Sequence, residues 1–242
     1  MSPSTFSKKM LARTGLRLVS AAWLAASLVT VPAGAQVGPS AAEAAAFTGL
    51  HAAAHRGDVA QIEKLVAAKA DVNARASNGR TPLHVAAFAR QRDVIRALAK
   101  AGADLNLLEN DRYDGITIAA VADDEETLRT LLALGANAKL TTSRYDGTAL
   151  IAAAHLGHDG VVRQLIQAGA PLDHVNNLHW TAVIEAIVLG DGGKRHQSSL
   201  KALIDARANL QLRDRTGATP LQLAKSRGYG EMVKMLEAAG AP

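Results

Sequence analysis

Residues 79–106 read GRTPLHVAAFARQRDVIRALAKAGADLN and contain the signals for two short helices in series. Thr81 followed by Pro82 is typical of a helix start, because threonine caps free N–H groups and proline has no N–H to leave unpaired. Apolar residues then recur at helical spacing over 94–98, and Gly102 lies where a left-handed residue commonly ends a helix. The stretch therefore predicts a helix–turn–helix unit.

The same pattern recurs along the chain, in units that begin at positions 48, 81, 114, 148, 181 and 219. Successive starts are 33 or 34 residues apart, except that the fifth unit holds five additional residues. A period of this length indicates supersecondary units that bury their apolar faces only by stacking on one another. We therefore predict an all-α repeat solenoid of about six units, with approximate bounds 48–80, 81–113, 114–147, 148–180, 181–218 and 219–242.

The string TPLHVAA at 81–87, followed about 20 residues later by GADLN at 102–106, resembles the ankyrin repeat. The resemblance extends in register over about 48–242, and it implies helix pairs joined by β-hairpin fingers. It also implies that the protein binds other proteins on a concave face formed by the finger tips and the first helices. The chain is similar to short bacterial ankyrin proteins that carry a secretion signal, which implies export but names no partner.

The first 35 residues have the pattern of a secretory signal peptide. Four lysine and arginine residues precede an uncharged, mostly apolar stretch at 18–31, which is followed by Pro32 and three small residues. The apolar stretch is shorter than the roughly 20 residues that a transmembrane helix needs. We therefore predict Sec-type export with cleavage after Ala35, and a periplasmic or secreted location.

Both ends of the predicted solenoid carry capping features. Ser40 and Glu43 form a capping box, which opens an alanine-rich helix within 36–47 that runs into the first unit. Charged residues such as Lys225 and Glu231 give the last helix pair a polar outer surface. Terminal units of a solenoid need such features because each lacks one neighbour.

The charge balance does not support a nucleic-acid partner. The chain has 27 basic and 22 acidic residues, and four of the basic ones lie in 1–35, which leaves 23 against 22 after cleavage. A nearly neutral chain without a basic patch does not fit a nucleic-acid-binding protein, and we expect no membrane contact after cleavage. Because there is no cysteine, packing alone must hold the fold. We predict a monomer that binds one or more proteins.

The tetrapeptide RYDG occurs twice, at 112–115 and at 144–147, although only six aromatic residues lie beyond residue 35. Counting back from the unit starts places the two tyrosines on consecutive fingers and Trp180 on the next finger. Tyrosine, tryptophan and arginine are the residues most enriched among the energetic anchors of interfaces. By the ankyrin resemblance, we predict a partner-binding surface that consists of Phe88, Arg112, Tyr113, Arg144, Tyr145, His155, Asn177, His179 and Trp180.

An alternative is that the two tetrapeptides only brace the fingers. Their Asp-Gly pairs are ordinary turn residues, the tyrosines could pack between adjacent fingers, and the Arg–Asp pairs could stiffen the hairpins. The tetrapeptides are 32 residues apart while the units that follow them are 34 apart, so the two tyrosines are not expected to be equivalent. Both interpretations stay open at this point.

The remaining motifs favour neither catalysis nor a metal site. The chain has no nucleophile elbow and no HExxH motif, and a shallow ankyrin stack is poorly suited to excluding water from chemistry. The insertion GDGGKRHQ at 190–197 lacks the Walker spacing, so we predict a flexible loop. His51 and His84 occupy the position at which histidine usually braces a loop. No carboxylate or cysteine set completes a metal site with His55, His155, His174 or His179, and we expect no cofactor.

Two other functions remain open. Some periplasmic ankyrin proteins are associated with catalase or haem enzymes, so the resemblance also allows an accessory protein whose histidines handle haem or a metal. A third possibility is an inhibitor or immunity-type protein that occupies the active site of a hydrolase or toxin. Such an inhibitor would bind its target through the same concave face that a scaffold protein would use. Only the identity of the partner would distinguish the two functions.

Overall fold

The structure is a computed structural model that describes residues 37–242, so the predicted signal peptide at 1–35 lies outside the described residues. Within this part a short helix, α1, is followed by six consecutive helix pairs, α2 to α13. None of these helices is long and apolar enough to pass through a bilayer. The helices are α1 Ala41–Ala46, α2 Gly49–Arg56, α3 Val59–Ala67, α4 Pro82–Phe88, α5 Arg92–Lys100, α6 Gly115–Val121, α7 Glu125–Ala133, α8 Ala149–Leu156, α9 Asp159–Gln167, α10 Ala182–Val188, α11 Lys194–Asp205, α12 Pro220–Ser226 and α13 Gly230–Ala238.

The helix pairs stack in the order of the sequence. The first helices form one layer, in which α2, α4, α6, α8, α10 and α12 each pack on the next, and the second helices form a parallel layer. Ala86, Ala119 and Ala153 are fully buried in the first layer, where small side chains let the backbones approach closely. Leu98 in α5 and Leu165 in α9 belong to the second layer and are also fully buried. The prediction of a mainly helical stacked repeat is confirmed.

Most first helices begin at a capping threonine, as predicted. Thr81 and Thr219 accept hydrogen bonds from the N–H groups three residues later, and proline follows each of them. In α6 the same position is held by Asp114, whose carboxylate accepts from the Thr117 N–H at 2.7 Å. The glycines that follow the second helices have positive φ angles, as predicted, and these are Gly102, Gly135, Gly169 and Gly240.

The connections between units are fingers in the predicted places, but in the described residues only one of them contains β-strands. Strands β1, Thr141–Thr142, and β2, Gly147–Thr148, pair antiparallel in the finger that enters the fourth unit. The finger that enters the second unit contains a 3-10 turn at Ser77–Gly79. Other fingers close as turns held by backbone hydrogen bonds, such as the bonds from the Glu109 N–H to the Tyr113 carbonyl and from the Asn176 N–H to the Trp180 carbonyl, both at 3.0 Å.

The insertion at 190–197 is not a flexible loop, and the prediction for this segment was wrong. Residues 194–197 form the first turn of α11, which is the longest of the described helices. Gly190 lies so close to α10 that an added Cβ would stand 2.1 Å from the Ala186 carbonyl oxygen, and the Tyr229 hydroxyl donates to the Gly190 carbonyl at 2.8 Å. Arg195 then pairs with Asp123 at 2.8 Å. These contacts hold the insertion against three helix pairs.

The N-terminal helix α1 begins as predicted but does not continue into the first unit. Ser40 accepts from the Glu43 N–H at 3.1 Å, whereas Phe47 has extended backbone angles and ends the helix. The Glu43 carboxylate does not close a capping box, because it pairs instead with Arg80 at 2.8 Å. This buried ion pair ties α1 to the second helix pair.

Candidate functional site

One column of side chains lies partly exposed along the layer of first helices. Its members each follow their helix cap by seven residues, and they are partly exposed where most residues before them in the helix are buried. We call them the inner column. It consists of Phe88 in α4, Val121 in α6, His155 in α8 and Val188 in α10.

A single side chain organises the turn of several fingers, five residues before the helix cap. Glu109 accepts from the N–H groups of Asp111 at 2.9 Å and Tyr113 at 3.2 Å. Asn176 accepts in the same way from Leu178 and Trp180, both at 3.0 Å. These bonds mimic a backbone turn, and they fix the aromatic residue that immediately precedes the helix cap.

The two copies of RYDG are therefore not equivalent, as their spacing predicted. Asp114 is itself the cap of α6, so Tyr113 lies one residue before the cap, in the same position as Trp180. Tyr145 lies three residues before the cap Thr148, at the tip of the β1–β2 hairpin. All three aromatic side chains are partly exposed.

Crossed ion pairs connect the two fingers that carry RYDG. Arg144 pairs with Asp111 at 2.9 Å, and Arg112 pairs with Asp146 at 3.5 Å. All four side chains are at least half exposed, so solvent screens both pairs and each contributes about 0–1 kcal/mol at most. The pairs orient the two fingers relative to each other more than they stabilise the fold.

A ladder of hydrogen bonds links consecutive finger tips. The Ser143 N–H donates to the Arg112 carbonyl at 3.1 Å, and the Asn177 N–H donates to the Tyr145 carbonyl at 3.0 Å. The side-chain amide of Asn177 also donates to the Arg144 carbonyl at 3.1 Å. The finger tips thus form one continuous edge, on which the side chains of Arg144 and Asn177 remain exposed.

Tyr113 lies beside the crossed ion pairs and packs against the core. Burial raises the pKa of its hydroxyl, and the charge of Asp111 raises it further, while Arg144 opposes both effects. Tyr145 in the next finger raises the pKa of Tyr113 as well. The structure therefore brings together four of the predicted surface residues, which are Arg112, Tyr113, Arg144 and Tyr145.

Phe88 is partly covered by the chain's own N-terminal segment. The guanidinium carbon of Arg80 lies 4.8 Å from the centre of the Phe88 ring. Arg80 also donates to the Val37 carbonyl, and Phe88 lies 3.5 Å from the position that a Cβ on Gly38 would take. At this end of the inner column, Val37 and Gly38 therefore lie against Arg80 and Phe88 and leave Phe88 only partly exposed.

A buried carboxylate borders the inner column at α10. Glu185 Oε2 lies 3.4 Å from His155 Nδ1, and the two side chains are 5% and 28% exposed. The Asn176 amide donates to Glu185 Oε1 at 2.9 Å. Burial raises the pKa of Glu185 to about 7 and lowers the pKa of His155. Near pH 7 His155 is thus mostly neutral, and Glu185 is close to half protonated.

Sequence reasoning did not identify Glu185 as a site residue, although a signal was present. The equivalent positions in the other first helices, four residues after the cap, hold only apolar residues. These are Ala52, Val85, Ile118, Ala152 and Leu223. A single carboxylate at a repeat position that is otherwise apolar indicates a special environment. An alignment of the six units with one another contains this signal.

His51 and His84 brace loops, as predicted. His51 Nε2 donates to the Arg80 carbonyl at 2.9 Å. His84 accepts at Nδ1 from the Thr81 N–H at 3.1 Å and donates from Nε2 to the Tyr113 carbonyl at 3.1 Å. This pattern requires a neutral ring, and burial lowers the pKa of His84 to about 4.

The other candidate histidines do not form a common site. His174 Nε2 donates to the Asp146 carbonyl at 2.6 Å, and the exposed His179 has a left-handed backbone, with its N–H bonded to the Asn176 carbonyl. Within residues 37–242, no three histidine, cysteine or acidic side chains come together in a way that could hold a metal ion.

A family model described as "Ankyrin repeats (3 copies)" matches residues 24–109 and 116–214. Among curated proteins, the ankyrin repeat protein YahD of Escherichia coli (strain K12) is 38% identical over 100 residues. This match spans 41% of the chain and only 50% of YahD, so the chain matches about half the length of that relative.

Solved structures of similar chains extend the likeness to most of the described residues. An ankyrin repeat domain from Acinetobacter baumannii is 43% identical with a TM-score of 0.76, and the match covers 80% of this chain and 98% of that one. A chain in the structure of the predatory endopeptidase Bd0816 from Bdellovibrio bacteriovorus in complex with immunity protein Bd3460 is 26% identical. Its TM-score is 0.62, and the match covers 79% of this chain and 98% of that one.

Proposed function

Because the chain belongs to the ankyrin-repeat family, we propose that it is a non-catalytic protein that binds a protein partner through its finger tips and inner column. Ankyrin repeats mediate protein–protein interactions. The observation that carries the proposal is the placing of Tyr113, Tyr145 and Trp180 in three consecutive fingers, partly exposed, in a chain with few other aromatic residues. The proposed surface comprises Phe88, Arg112, Tyr113, Arg144, Tyr145, His155, Asn177, His179 and Trp180.

The proposal includes the organisation and location of the protein. Six ankyrin units would run from residue 48 to residue 242, and the mature protein would be a monomer in the periplasm or outside the cell. The basic, then apolar, pattern of residues 1–35 supports export. Cell fractionation, followed by mass measurement of the purified chain, tests this part. A cytoplasmic protein of full mass would contradict it.

The central experiment uses the purified protein as bait in an extract of the source cells. A second bait carries Tyr113→Ala, Tyr145→Ala and Trp180→Ala. We expect the first bait to retain a protein that the second does not, because tyrosine and tryptophan are enriched among the residues that carry most of the binding energy of interfaces.

A third bait with Leu134→Ala controls for the general loss of exposed apolar area. Leu134 follows α7, in the layer of second helices, and is 37% exposed. This variant should retain the partner. If the triple variant retains the partner as well as the unchanged protein does, the aromatic residues only brace the fingers and binding lies elsewhere.

A second candidate function is inhibition of a hydrolase in the manner of an immunity protein. The match to a chain in the endopeptidase–immunity protein complex favours it, because that match covers 79% of this chain. The test is to measure the enzymatic activity of the captured partner with and without the protein. Loss of activity on binding, restored with the triple variant, would identify an inhibitor, whereas unchanged activity would leave the scaffold function.

A further inference from the structure

Glu185 has hydrogen-bonding capacity that the chain itself does not use. An ionised carboxylate can accept several hydrogen bonds across its two oxygens. Oε1 accepts one from the Asn176 amide at 2.9 Å, whereas Oε2 is buried and accepts none from the described residues. A buried acceptor without a donor costs free energy, which makes Oε2 the unusual atom of this site.

The groups around Glu185 do not neutralise it in the free protein. The nearest titratable group is His155 on α8, at 3.4 Å from Oε2. Burial lowers the pKa of His155, and the neighbouring His196 on α11 and His158 before α9 lower it further. The imidazole therefore carries little positive charge near pH 7. Near pH 7 a proton on Glu185 itself removes the charge in about half of the free molecules, because burial raises the pKa of Glu185 to about 7.

The site is linked to the proposed binding surface on two sides. His155 belongs to the inner column, and its side chain lies between Glu185 and the solvent, 28% exposed. Asn176 connects Glu185 to the third aromatic finger, because its amide nitrogen donates to Glu185 while its oxygen accepts from the Trp180 N–H. Oε2 is buried in the free protein, so an incoming side chain reaches it by displacing the partly exposed ring of His155.

Building on the proposed protein-binding function, we propose that Glu185 receives a lysine or arginine side chain of the partner, which enters beside His155. A basic side chain supplies both the positive charge and the donor that Oε2 lacks. A metal ion fits less well, because no set of three ligands exists in the described residues. The partner segment would thus place a basic residue next to residues that contact Trp180.

The test uses N-acetyl-arginine methylamide and the neutral N-acetyl-norleucine methylamide as probes. The side-chain carboxyl carbon of Glu185 is followed by NMR during pH titration of the whole protein, at about 10 mM probe, where even a Kd near 1 mM gives near saturation. Sodium chloride keeps the ionic strength equal in all samples. We expect the arginine probe to lower the pKa of Glu185 by at least about one unit, a tenfold shift in its protonation. The norleucine probe should leave it unchanged.

Glu185→Gln is the matched variant, because it keeps the shape of the side chain and removes the charge. The arginine probe should shift the ring signals of His155 in the unchanged protein and not in this variant. An unchanged Glu185 pKa, or equal His155 shifts in both proteins, would overturn the proposal. Failure here would leave the bait experiment with the aromatic variants unaffected, so the two proposals can fail separately.

Discussion

At the residue scale, identical strings have different roles because their distance from a helix start differs. Asp114 is buried and caps α6, with Thr117 as its partner. Asp146 belongs to the same tetrapeptide, but it lies at an exposed hairpin tip, where it pairs with Arg112. A cap satisfies N–H groups that have no other partner, whereas an exposed ion pair only replaces water contacts.

This difference predicts unequal effects of substitution. Asp114→Ala should lower the free energy of unfolding by about 1–2 kcal/mol, because it leaves helix N–H groups without an acceptor. Asp146→Asn should change it by less than about 0.5 kcal/mol, since it removes one exposed pair and still tolerates a positive φ. Urea denaturation measures both. Asp114→Asn, which can still cap, is the control, and a loss as large as that of the alanine variant would contradict the capping role.

Glu185 and His84 give the protein opposite dependences on pH. The pKa of Glu185 is raised to about 7, so the folded state holds its proton more tightly and stability falls as pH rises from about 4.5 to about 7. The pKa of His84 is lowered to about 4, so stability falls as pH drops from 6.5 to about 4. In the range that they share, the two effects largely cancel.

Glu185→Gln should therefore change how the free energy of unfolding depends on pH. Above pH 7 the variant should be more stable than the unchanged protein by about 3 kcal/mol, because about 1.4 kcal/mol corresponds to each unit of the raised pKa. Below pH 4.5 this difference should vanish. Urea denaturation between pH 4 and 8 tests the prediction, and a difference that does not vary with pH would show that burial does not perturb Glu185.

At the element scale, the extra residues of the fifth unit form structure because they find specific neighbours. Gly190 presses against the carbonyl of Ala186, and Arg195 reaches Asp123 and Asp159 in two earlier helix pairs. A glycine-rich composition suggested mobility, but here glycine is required for close approach. The contacts that order this segment come from residues far away in the sequence, so local composition could not reveal them.

Substitution by alanine should have opposite effects on stability at Gly190 and at Gly230. Gly190→Ala should lower the free energy of unfolding by about 1–3 kcal/mol, because the new Cβ would stand 2.1 Å from a backbone oxygen that cannot easily move. Gly230→Ala should raise it by about 0.4–1 kcal/mol, since nothing lies within 4 Å and the residue begins α13. Thermal unfolding compares the two variants. If both variants changed the stability in the same direction, the segment before α11 would be able to shift and accommodate the new Cβ.

Much of the architecture follows from periodicity, and the parts that do not are tertiary. Thr81, Pro82 and Gly102 mark one unit because capping and left-handed termination depend on neighbours within a few residues. Trp180 and Tyr113 were predicted to lie on fingers for the same reason. The burial of Glu185 could not be predicted in this way, because it depends on α8 and on the finger turn beside it. The position of Gly38 beside Phe88 likewise depends on a long-range contact.

At the scale of the whole molecule, each helix pair contacts mainly the pairs before and after it. Stability in such a stack is close to a sum of unit terms and interface terms, so the end units are held by one interface and the central units by two. Leu165 in α9 and Leu236 in α13 are both fully buried, yet they lie in a central and a terminal pair. The same substitution at these two positions should therefore destabilise different numbers of neighbouring helix pairs.

We expect Leu165→Ala and Leu236→Ala each to weaken local packing by about 2–5 kcal/mol. In the central pair this loss removes support from both sides, so hydrogen exchange should accelerate from α6 through α11. In the terminal pair the remaining stack keeps its own interfaces, so acceleration should be confined to α12 and α13. Hydrogen exchange read by mass spectrometry distinguishes these patterns. Uniform acceleration in the Leu236→Ala variant would mean that the solenoid unfolds as one cooperative unit, and that the proposed binding edge depends on every repeat rather than on its nearest neighbours.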